Sequence, residues 1–334
     1  MAPALHVAVE EADGDVDMLS KLMVEQISRH YSSSSRPAAQ SRLQRQSSPL
    51  IHLKELNNAV KATLIASHTK RGSRVVDLAC GKGGDLSKWD KARISSYTGL
   101  DCSPGSLQQA RSRYQAAHFS FPARFLLADC FCSPLSGGLE GQIAPGTFDV
   151  ASCQFALHYS WASERTARQA LGNIAALLKV GGIFIGTIPD ASAILRQLRH
   201  VQGLHLGNSC YRIHFPSKRV LNQQQLSRQP FGAEYRFHLL DGAVDCPEWL
   251  VPFASLEALA NEFGLELLYK DNFHGFVQRQ AHNPCFAHLM QRSQALARIS
   301  DDEWDTAHLY MAFAFRKVGQ SSSGQRKQQQ QQQP

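Results

Sequence analysis

Apolar positions along residues 50 to 318 follow two periods in turn. Leu53 to His68 repeats apolar residues at three- and four-residue spacing and predicts a helix, whereas Arg74 to Ala79, with its run Val75-Val76-Asp77-Leu78, predicts a short buried strand. The same reading predicts a helix from Gly84, a strand over Tyr97 to Asp101 and a helix over Ser103 to Ala117. Further strands are expected at Arg124 to Ala128, Phe148 to Cys153, Gly182 to Thr187, Leu265 to Lys270 and His308 to Phe315, with helices near Glu164 to Lys179 and Ser255 to Phe263. Strands alternating with helices imply an α/β fold with a mostly parallel, seven-stranded sheet covered on both faces. No crossover-helix pattern separates the last two strands, so an antiparallel edge hairpin is expected there. Gly203 to Pro252 is aromatic and short-patterned, and reads as an inserted, substrate-facing subdomain (203–252). No internal repeat is visible.

Outside this span the pattern fades. Met1 to Asp17 is acidic, Ser32 to Ser48 is rich in Ser, Arg and Gln, and the chain after Val318 is Ser/Gln-rich and ends in polyglutamine. Such segments bury too little apolar surface to offset chain entropy. The expected division is a mostly disordered extension with a short helix (1–49), a folded domain (50–318) and a disordered tail (319–334).

The chemistry concentrates in the first strand-loop-helix unit. Ala79-Cys80-Gly81-Lys82-Gly83-Gly84-Asp85 follows the first strand, and Asp101 ends the second, twenty residues after Gly81. Glycines let a backbone approach a ligand closely, and a carboxylate at the end of the second strand can accept both hydroxyls of a ribose. A dinucleotide loop would read Gly-x-Gly-x-x-Gly and seat a pyrophosphate on a helix N-terminus. Here Asp77 and Asp85 flank the loop, which would repel a diphosphate and suits a cationic ligand without phosphate. S-adenosylmethionine, with its sulfonium and amino groups, is such a ligand.

Asp129 follows the third strand as Asp101 follows the second, so it can reach an adenine amine or simply cap a turn. After the fourth strand, Ser152 to Trp161 places Gln154, His158 and Tyr159 at the mouth of the same crevice, where a methyl acceptor would sit. A lone histidine among aromatics is equally a packing residue.

Composition narrows this only slightly. With 334 residues and 43% hydrophobic content the chain can bury a large core. No apolar run approaches the ~18 residues that span a bilayer, and no signal-peptide order opens the chain, so a soluble intracellular protein without membrane contact is expected. The eight cysteines form no Cys-x-x-Cys pair, pointing to reduced thiols and no metal. A net charge of +7 leans toward a polyanionic partner.

The motifs then become specific. Asp77 to Trp89, Ser152-Cys153-Gln154-Phe155 with His158-Tyr159-Ser160, Asp245-Cys246-Pro247-Glu248-Trp249-Leu250-Val251, Glu303-Trp304 and Tyr310 to Phe315 together resemble the eukaryotic mRNA cap guanine-N7 methyltransferases, over about His30 to Phe315. The resemblance implies a Rossmann-like class I fold. It implies methyl transfer from S-adenosylmethionine to N7 of the cap guanosine of GpppN, giving m7GpppN and S-adenosylhomocysteine. Residue by residue, it implies that Lys61 holds the donor's carboxylate, Asp77 and Gly81 its methionine moiety, Asp101 the ribose and Asp129 the adenine, with Gln154 and Tyr159 nearby. It further places Asn57, Asn58, His158, Glu248 and Tyr310 around the cap guanosine, and implies that Lys82, Lys88, Arg93 and Arg113 face the triphosphate or help hold the site.

Guanine N7 already offers a lone pair, so no general base is needed and in-line displacement is expected, with His158, Tyr159 and Glu248 as positioning groups. Glu248 can accept from guanine N1–H and the 2-amino group as a bidentate pair, which adenine does not supply. Capped nascent mRNA is the implied partner and the nucleus the implied location. A capping guanylyltransferase or triphosphatase, the RNA polymerase II tail or an activating subunit are further candidate partners. Two departures from the family pattern stand out. Ala79 replaces the first loop glycine, which requires φ < 0 at that residue, and Ala59 replaces a tryptophan, which loosens the cover over the donor. A small-molecule methyltransferase and a catalytically silent RNA- or protein-binding subunit are the alternative readings.

Overall fold

The computed structural model describes residues 28, 48–135, 143–217, 223–240 and 244–319. The N-terminal extension, with the short helix expected in it, and the Gln-rich tail fall almost wholly outside these residues.

The chain opens on helix α1 (Ile51–His68), which turns Leu53, Leu56, Val60 and Leu64 inward. Leu50 gives this helix no side-chain cap, and the buried Glu303 carboxylate fills that role from afar, accepting the Leu53 N–H at 3.1 Å. Then come β1 (Arg74–Leu78), α2 (Leu86–Lys91), β2 (Ser96–Asp101), α3 (Pro104–Ala117), β3 (Ala123–Leu127) and β4 (Phe148–Gln154). A 3-10 turn (Leu157–Ala162) leads into α4 (Glu164–Leu177), whose start is held by a Ser163/Thr166 capping box, and β5 (Leu178–Pro189).

With two strands from the end of the chain, β10 (Leu265–Asn272) and β11 (Tyr310–Lys317), the large sheet has seven strands in the order β10-β11-β5-β4-β1-β2-β3. β1 to β5 are mutually parallel as expected. Leu78 pairs with both Leu100 and Cys153, and Asp101 with Leu127, so β1 to β4 end nearly flush. That alignment gathers the residues following each strand along one edge. One apolar cluster fills the sheet face under α4 and a second fills the face under α1.

After α5 (Ala191–Leu198), residues 203–252 build a separate four-stranded antiparallel sheet: β6 (His205–Gly207), β7 (Tyr211–His214), β8 (Glu234–Leu239) and β9 (Asp245–Trp249), with α6 (Gln223–Arg228) between β7 and β8. The chain returns through α7 (Phe253–Glu262) to β10 (Leu265–Asn272).

The last strand, β11 (Tyr310–Lys317), runs antiparallel to both β10 and β5. The pairing is as expected, but the connection is no hairpin. It carries α8 (Phe273–Gln280), α9 (Pro284–Ser293), α10 (Ala295–Arg298) and α11 (Asp301–Ala307). None exceeds ten residues, too short to show a clear period, and α9 to α11 pack on α1. Their ends are set by local caps, Asn283 for α9 and a Ser300/Glu303 capping box for α11.

Ala79 overturns the expectation of a negative φ. The turn that swings the Cys80 N–H onto Leu100 O at 2.9 Å leaves Ala79 at φ 53, in the left-handed region where glycine is preferred. The methyl costs about 1–2 kcal/mol there, partly offset by the lower entropy of alanine in the unfolded chain. Ala79→Gly should therefore stabilise the protein by about 0.5–1 kcal/mol, a rise of a few degrees in Tm by calorimetry. Gly83 is needed for space as well as for φ 68, since a Cβ would lie 2.8 Å from Leu86 Cδ1.

Candidate active site

The flush strand ends leave a cavity of about 450 Å³ at the carboxy edge of the sheet. Lys61, Asp77, Gly81, Asp101, Asp129, Gln154 and Tyr159 all line it, so α1, the first loop, β2, β3 and β4 converge on one space. Asp101 Oδ2 accepts the Gly81 N–H at 2.8 Å and Oδ1 accepts the Ser103 N–H at 2.8 Å. Each oxygen keeps a lone pair for a ribose hydroxyl. Burial raises Asp101 above the ordinary carboxylate range, against the pull of those two amides. Asp129 Oδ1 accepts from the Phe131 and Cys132 amides at 2.9 and 3.0 Å. The Ser28 hydroxyl donates to the carbonyl of Cys102, a residue of the cavity lining, at 3.1 Å.

The two loop acids behave oppositely. Asp85 is chelated by Lys61 Nζ, 2.8 and 2.9 Å from its two oxygens, and by Lys88 Nζ at 2.6 Å. Burial works to raise its pKa, yet Lys61 and then Lys88 hold it well below the usual range. Asp85 therefore serves as an internal counter-ion. Asp77 accepts a hydrogen bond from Tyr97 Oη at 2.9 Å. Burial first, and the Asp85 charge second, push it up to about 7 from 3.8, against hydrogen bonds from Tyr97 and Ser152 and the Lys61 charge.

A carboxyl with a raised native pKa contributes stability that is full below its unfolded value and is lost as pH climbs from there through about 7. A cation seated beside Asp77 would reverse the shift and expel the proton. Titration calorimetry near pH 7, in buffers of different ionisation enthalpy, should detect release of up to about half a proton with S-adenosylmethionine. The neutral thioether S-adenosylhomocysteine should release less, and Asp77→Asn should abolish the difference. The cavity's acids, its loop amides and its size thus fit an adenosyl sulfonium.

A second site adjoins the first. Glu248 on β9 is buried; its Oε2 accepts from Tyr235 Oη at 2.6 Å, and its Oε1 lies 3.5 Å from His158 Nε2. Neither ring nitrogen of the buried His158 has a hydrogen-bond partner. The His158 ring stands 4.2 Å from that of Tyr159, and Tyr159 Oη meets Cys246 Sγ at 3.2 Å. Cys246 and Glu248 share one face of β9, so Tyr159 ties the donor cavity to the Glu248 pocket.

Tyr310 packs edge-on against Phe155, centroids 5.1 Å apart, on the same side. Gln154 is held by Ser152 and Thr187, and the residue after it, Phe155, takes φ 56 with its N–H on Thr187 O. Strained backbone of this kind collects at functional sites. Asn58 accepts from Lys88 at 3.0 Å, whereas the buried Asn57 Oδ1 has no hydrogen-bond partner.

Tyr235 and Phe155 were not among the expected site residues. The alternation Glu234-Tyr235-Arg236-Phe237 could have signalled the first, but only the β8–β9 register shows Tyr235 opposite Glu248. Lys82 and Arg113 line the donor cavity. Arg93 does not join them. It is exposed in the turn before β2, at the amino edge of the sheet, where its carbonyl accepts the Gly72 N–H at 2.8 Å. β2 itself, six residues long and spanning about 20 Å, lies between Arg93 and the cavity.

All eight cysteines are free, and four of them, Cys80, Cys102, Cys130 and Cys132, line the donor cavity. Burial pushes Cys102 up to about 12 and Cys130 well above the ordinary thiol range, so these thiols are poor nucleophiles at neutral pH. Among the described residues there is no cluster of three or more His, Cys, Asp or Glu able to hold a metal, and no helix long and apolar enough to cross a membrane.

The sheet and its acid-lined crevice define a class I S-adenosylmethionine-dependent methyltransferase fold. Among solved structures, the CcbJ methyltransferase of Streptomyces caelestis shares it with a TM-score of 0.50 at 15% identity, over 79% of this chain and 90% of that one. Residues 17–318 match the mRNA (guanine-N(7))-methyltransferase domain. The chain is 47% identical over 325 residues to mRNA cap guanine-N(7) methyltransferase 1 of Arabidopsis thaliana, covering 93% of this chain and 86% of that protein. Its identity to the mRNA cap guanine-N(7) methyltransferase of Saccharomyces cerevisiae is 37% over 312 residues, covering 89% and 71%. The chain belongs to the mRNA (guanine-N(7))-methyltransferase family.

Proposed function

We propose that this protein methylates N7 of the terminal guanosine of GpppN-capped mRNA, using S-adenosylmethionine as donor. The observation that carries the reading is the buried Tyr235–Glu248–His158 group set beside a sulfonium-sized, acid-lined cavity. The donor supplies an electrophilic methyl on a positively charged sulfur. Asp101 and Asp129 orient the adenosine and Lys61 the methionine end, while Asp77 balances the positive charge. Glu248 accepts from guanine N1–H and the 2-amino group, and His158, whose Nε2 lies 3.5 Å from Glu248 Oε1 without a hydrogen bond, is assigned to the same base.

Transfer to N7 moves a positive charge from donor to guanine. Glu248 meets that charge where it develops, with a carboxylate already oriented by Tyr235, so it favours the transition state over the neutral base. N7 needs no deprotonation, and no side chain is assigned as general base. Phe155, Tyr159 and Tyr310 supply ring surfaces for an aromatic acceptor. Lys82, Arg113 and Lys88 are the cations this reading assigns to the triphosphate; the first two line the donor cavity and the third is paired with Asp85.

On this reading residues 50–318 form the methyltransferase domain and 203–252 its cap-facing insertion. Nascent capped transcripts are the substrate and the nucleus the site of action. A capping guanylyltransferase or triphosphatase, the RNA polymerase II tail or an activating subunit would be its protein partners.

The test is transfer of labelled methyl to GpppA- and GpppG-capped RNA, with ApppG-capped and uncapped triphosphate RNA as controls. Label in 7-methylguanosine only from guanosine caps supports the proposal. Donor binding without transfer would point to a small-molecule acceptor, and absence of donor binding to a silent RNA-binding subunit.

A further inference from the structure

At the end of the sheet opposite the crevice, the residues around the starts of β1, β2 and β5 form a second charged surface. Lys70, Arg71, Arg74, Arg93 and Lys179 are all exposed there. Residues of the α1–β1 turn and the start of β5 enclose an open depression of about 410 Å³ that includes Lys70, Arg71 and Lys179. Backbone bonds knit the strand starts together, Gly72 N–H to Arg93 O at 2.8 Å and Ser95 N–H to Ser73 O at 2.9 Å. Asp149 is the one carboxylate in the lining, and it is already engaged by Lys179 and by the Arg74 N–H at 2.8 Å. Gly72 and Gly181, at φ 82 and 81, have nothing within 4 Å of a would-be Cβ, so the turns that carry these cations leave their backbone open to a ligand.

We propose that this amino-edge surface binds the phosphate backbone of the RNA downstream of the cap, as a docking site separate from the methylation crevice. The inference rests on the cap methyltransferase reading for its ligand, because that reading already brings a polyanion to the protein. Lys and Arg remain charged throughout the physiological range, so the surface attracts phosphate at any working pH. Lys70, Arg71, Arg74 and Arg93, with Lys179 paired to Asp149, spread from an open depression over the surface beside it, and this arrangement matches a chain of phosphates better than a single anion and reads no sequence. The surface lies about 20 Å from the donor cavity, the length of a six-residue strand. A cap dinucleotide cannot bridge that span, whereas a transcript held at its cap can, which makes the second contact effectively intramolecular.

The experiment uses the full chain and the variant Lys70→Glu/Arg71→Glu, with Lys70→Gln/Arg71→Gln as a milder pair should the first misfold. Binding of capped and 5′-hydroxyl RNA of a few tens of nucleotides is measured by fluorescence anisotropy across a salt series, alongside methylation of the GpppG dinucleotide. The expected result is at least a tenfold loss of long-RNA affinity at low salt. The slope of log affinity against log salt should flatten by about 1 to 1.5, as for two lost phosphate contacts. KM and kcat on the dinucleotide should stay within about twofold of wild type, as expected for a remote surface. Unchanged RNA affinity and salt slope would overturn the proposal. The 5′-hydroxyl RNA reads this surface without the cap, so failure of the proposed methylation would not be mistaken for failure of the docking site.

Discussion

Glu248→Gln should lower kcat/KM for cap methylation by about a hundredfold while leaving the dissociation constant of S-adenosylmethionine within about twofold. Glutamine keeps the volume of the side chain but loses one acceptor and the charge. Two things are then lost at once. A buried hydrogen bond to an ionised group contributes about 1.5–3 kcal/mol, and the replacement amide turns a donor toward guanine or toward the Tyr235 hydroxyl. The transition state should suffer more than the ground state, because the guanine becomes cationic only on transfer. The loss should therefore fall on kcat as well as KM.

Tyr235→Phe provides the companion measurement. It removes the 2.6 Å hydrogen bond to Glu248 Oε2 without touching the charge. A smaller fall, about tenfold, is expected from one lost buried hydrogen bond. Steady-state kinetics with calorimetric donor binding would decide the matter: full activity in Glu248→Gln would remove this carboxylate from cap recognition.

Asp85→Asn should destabilise the protein by about 3–5 kcal/mol, because it removes the carboxylate that both buried ammonium groups contact and leaves only the charge of Asp77 nearby to offset them. The Lys61, Lys88 and Asp85 side chains are 15%, 11% and 10% exposed, so water screens little of the repulsion. Burial already lowers Lys88 below the ordinary lysine value, and Asp85 is the main force opposing it. In the variant Lys88 should fall further. A lysine with a depressed native pKa imposes its full cost below that value and sheds it progressively as pH rises from there to the unfolded lysine value. The stability deficit of Asp85→Asn should accordingly shrink on going from neutral to alkaline pH. Adding Lys88→Met should recover part of it, as a double-mutant cycle in thermal or urea unfolding would show. An additive cycle would mean that the two groups do not interact. Donor affinity should fall with stability, since Lys61 is oriented by Asp85.

The triad of Asp85, Lys61 and Lys88 also shows where sequence reading stops. Asp77 and Asp85 flank the same loop and look equivalent in the chain. Their opposite electrostatic fates come from α1, which delivers Lys61 from 24 positions upstream, and from the first turn of α2, which delivers Lys88. Arg93 is a similar case. The family resemblance grouped it with Lys82 and Lys88, but β2 starts after it, so it falls at the opposite edge of the sheet. The helices between β10 and β11 were invisible for another reason. Segments of four to ten residues with local caps present too few turns for a period, and α1 stabilises them by packing.

The parallel strands, the close-approach loop and the acids at the strand ends could be read from the order of residues. Those features depend on local periodicity, on glycine's freedom at Gly81 and Gly83, and on the position of a residue relative to its own strand. The motifs of the chain were also enough to indicate the family. Tertiary structure alone decided which acid is neutralised, which carboxylate a tyrosine orients and which cations face the ligand. Each of those outcomes depends on register and packing between segments tens to hundreds of residues apart, from Tyr235 against Glu248 to Glu303 on the start of α1. A side chain's charge state and aim are properties of the space it shares, and the order of residues along the chain does not specify that space one segment at a time.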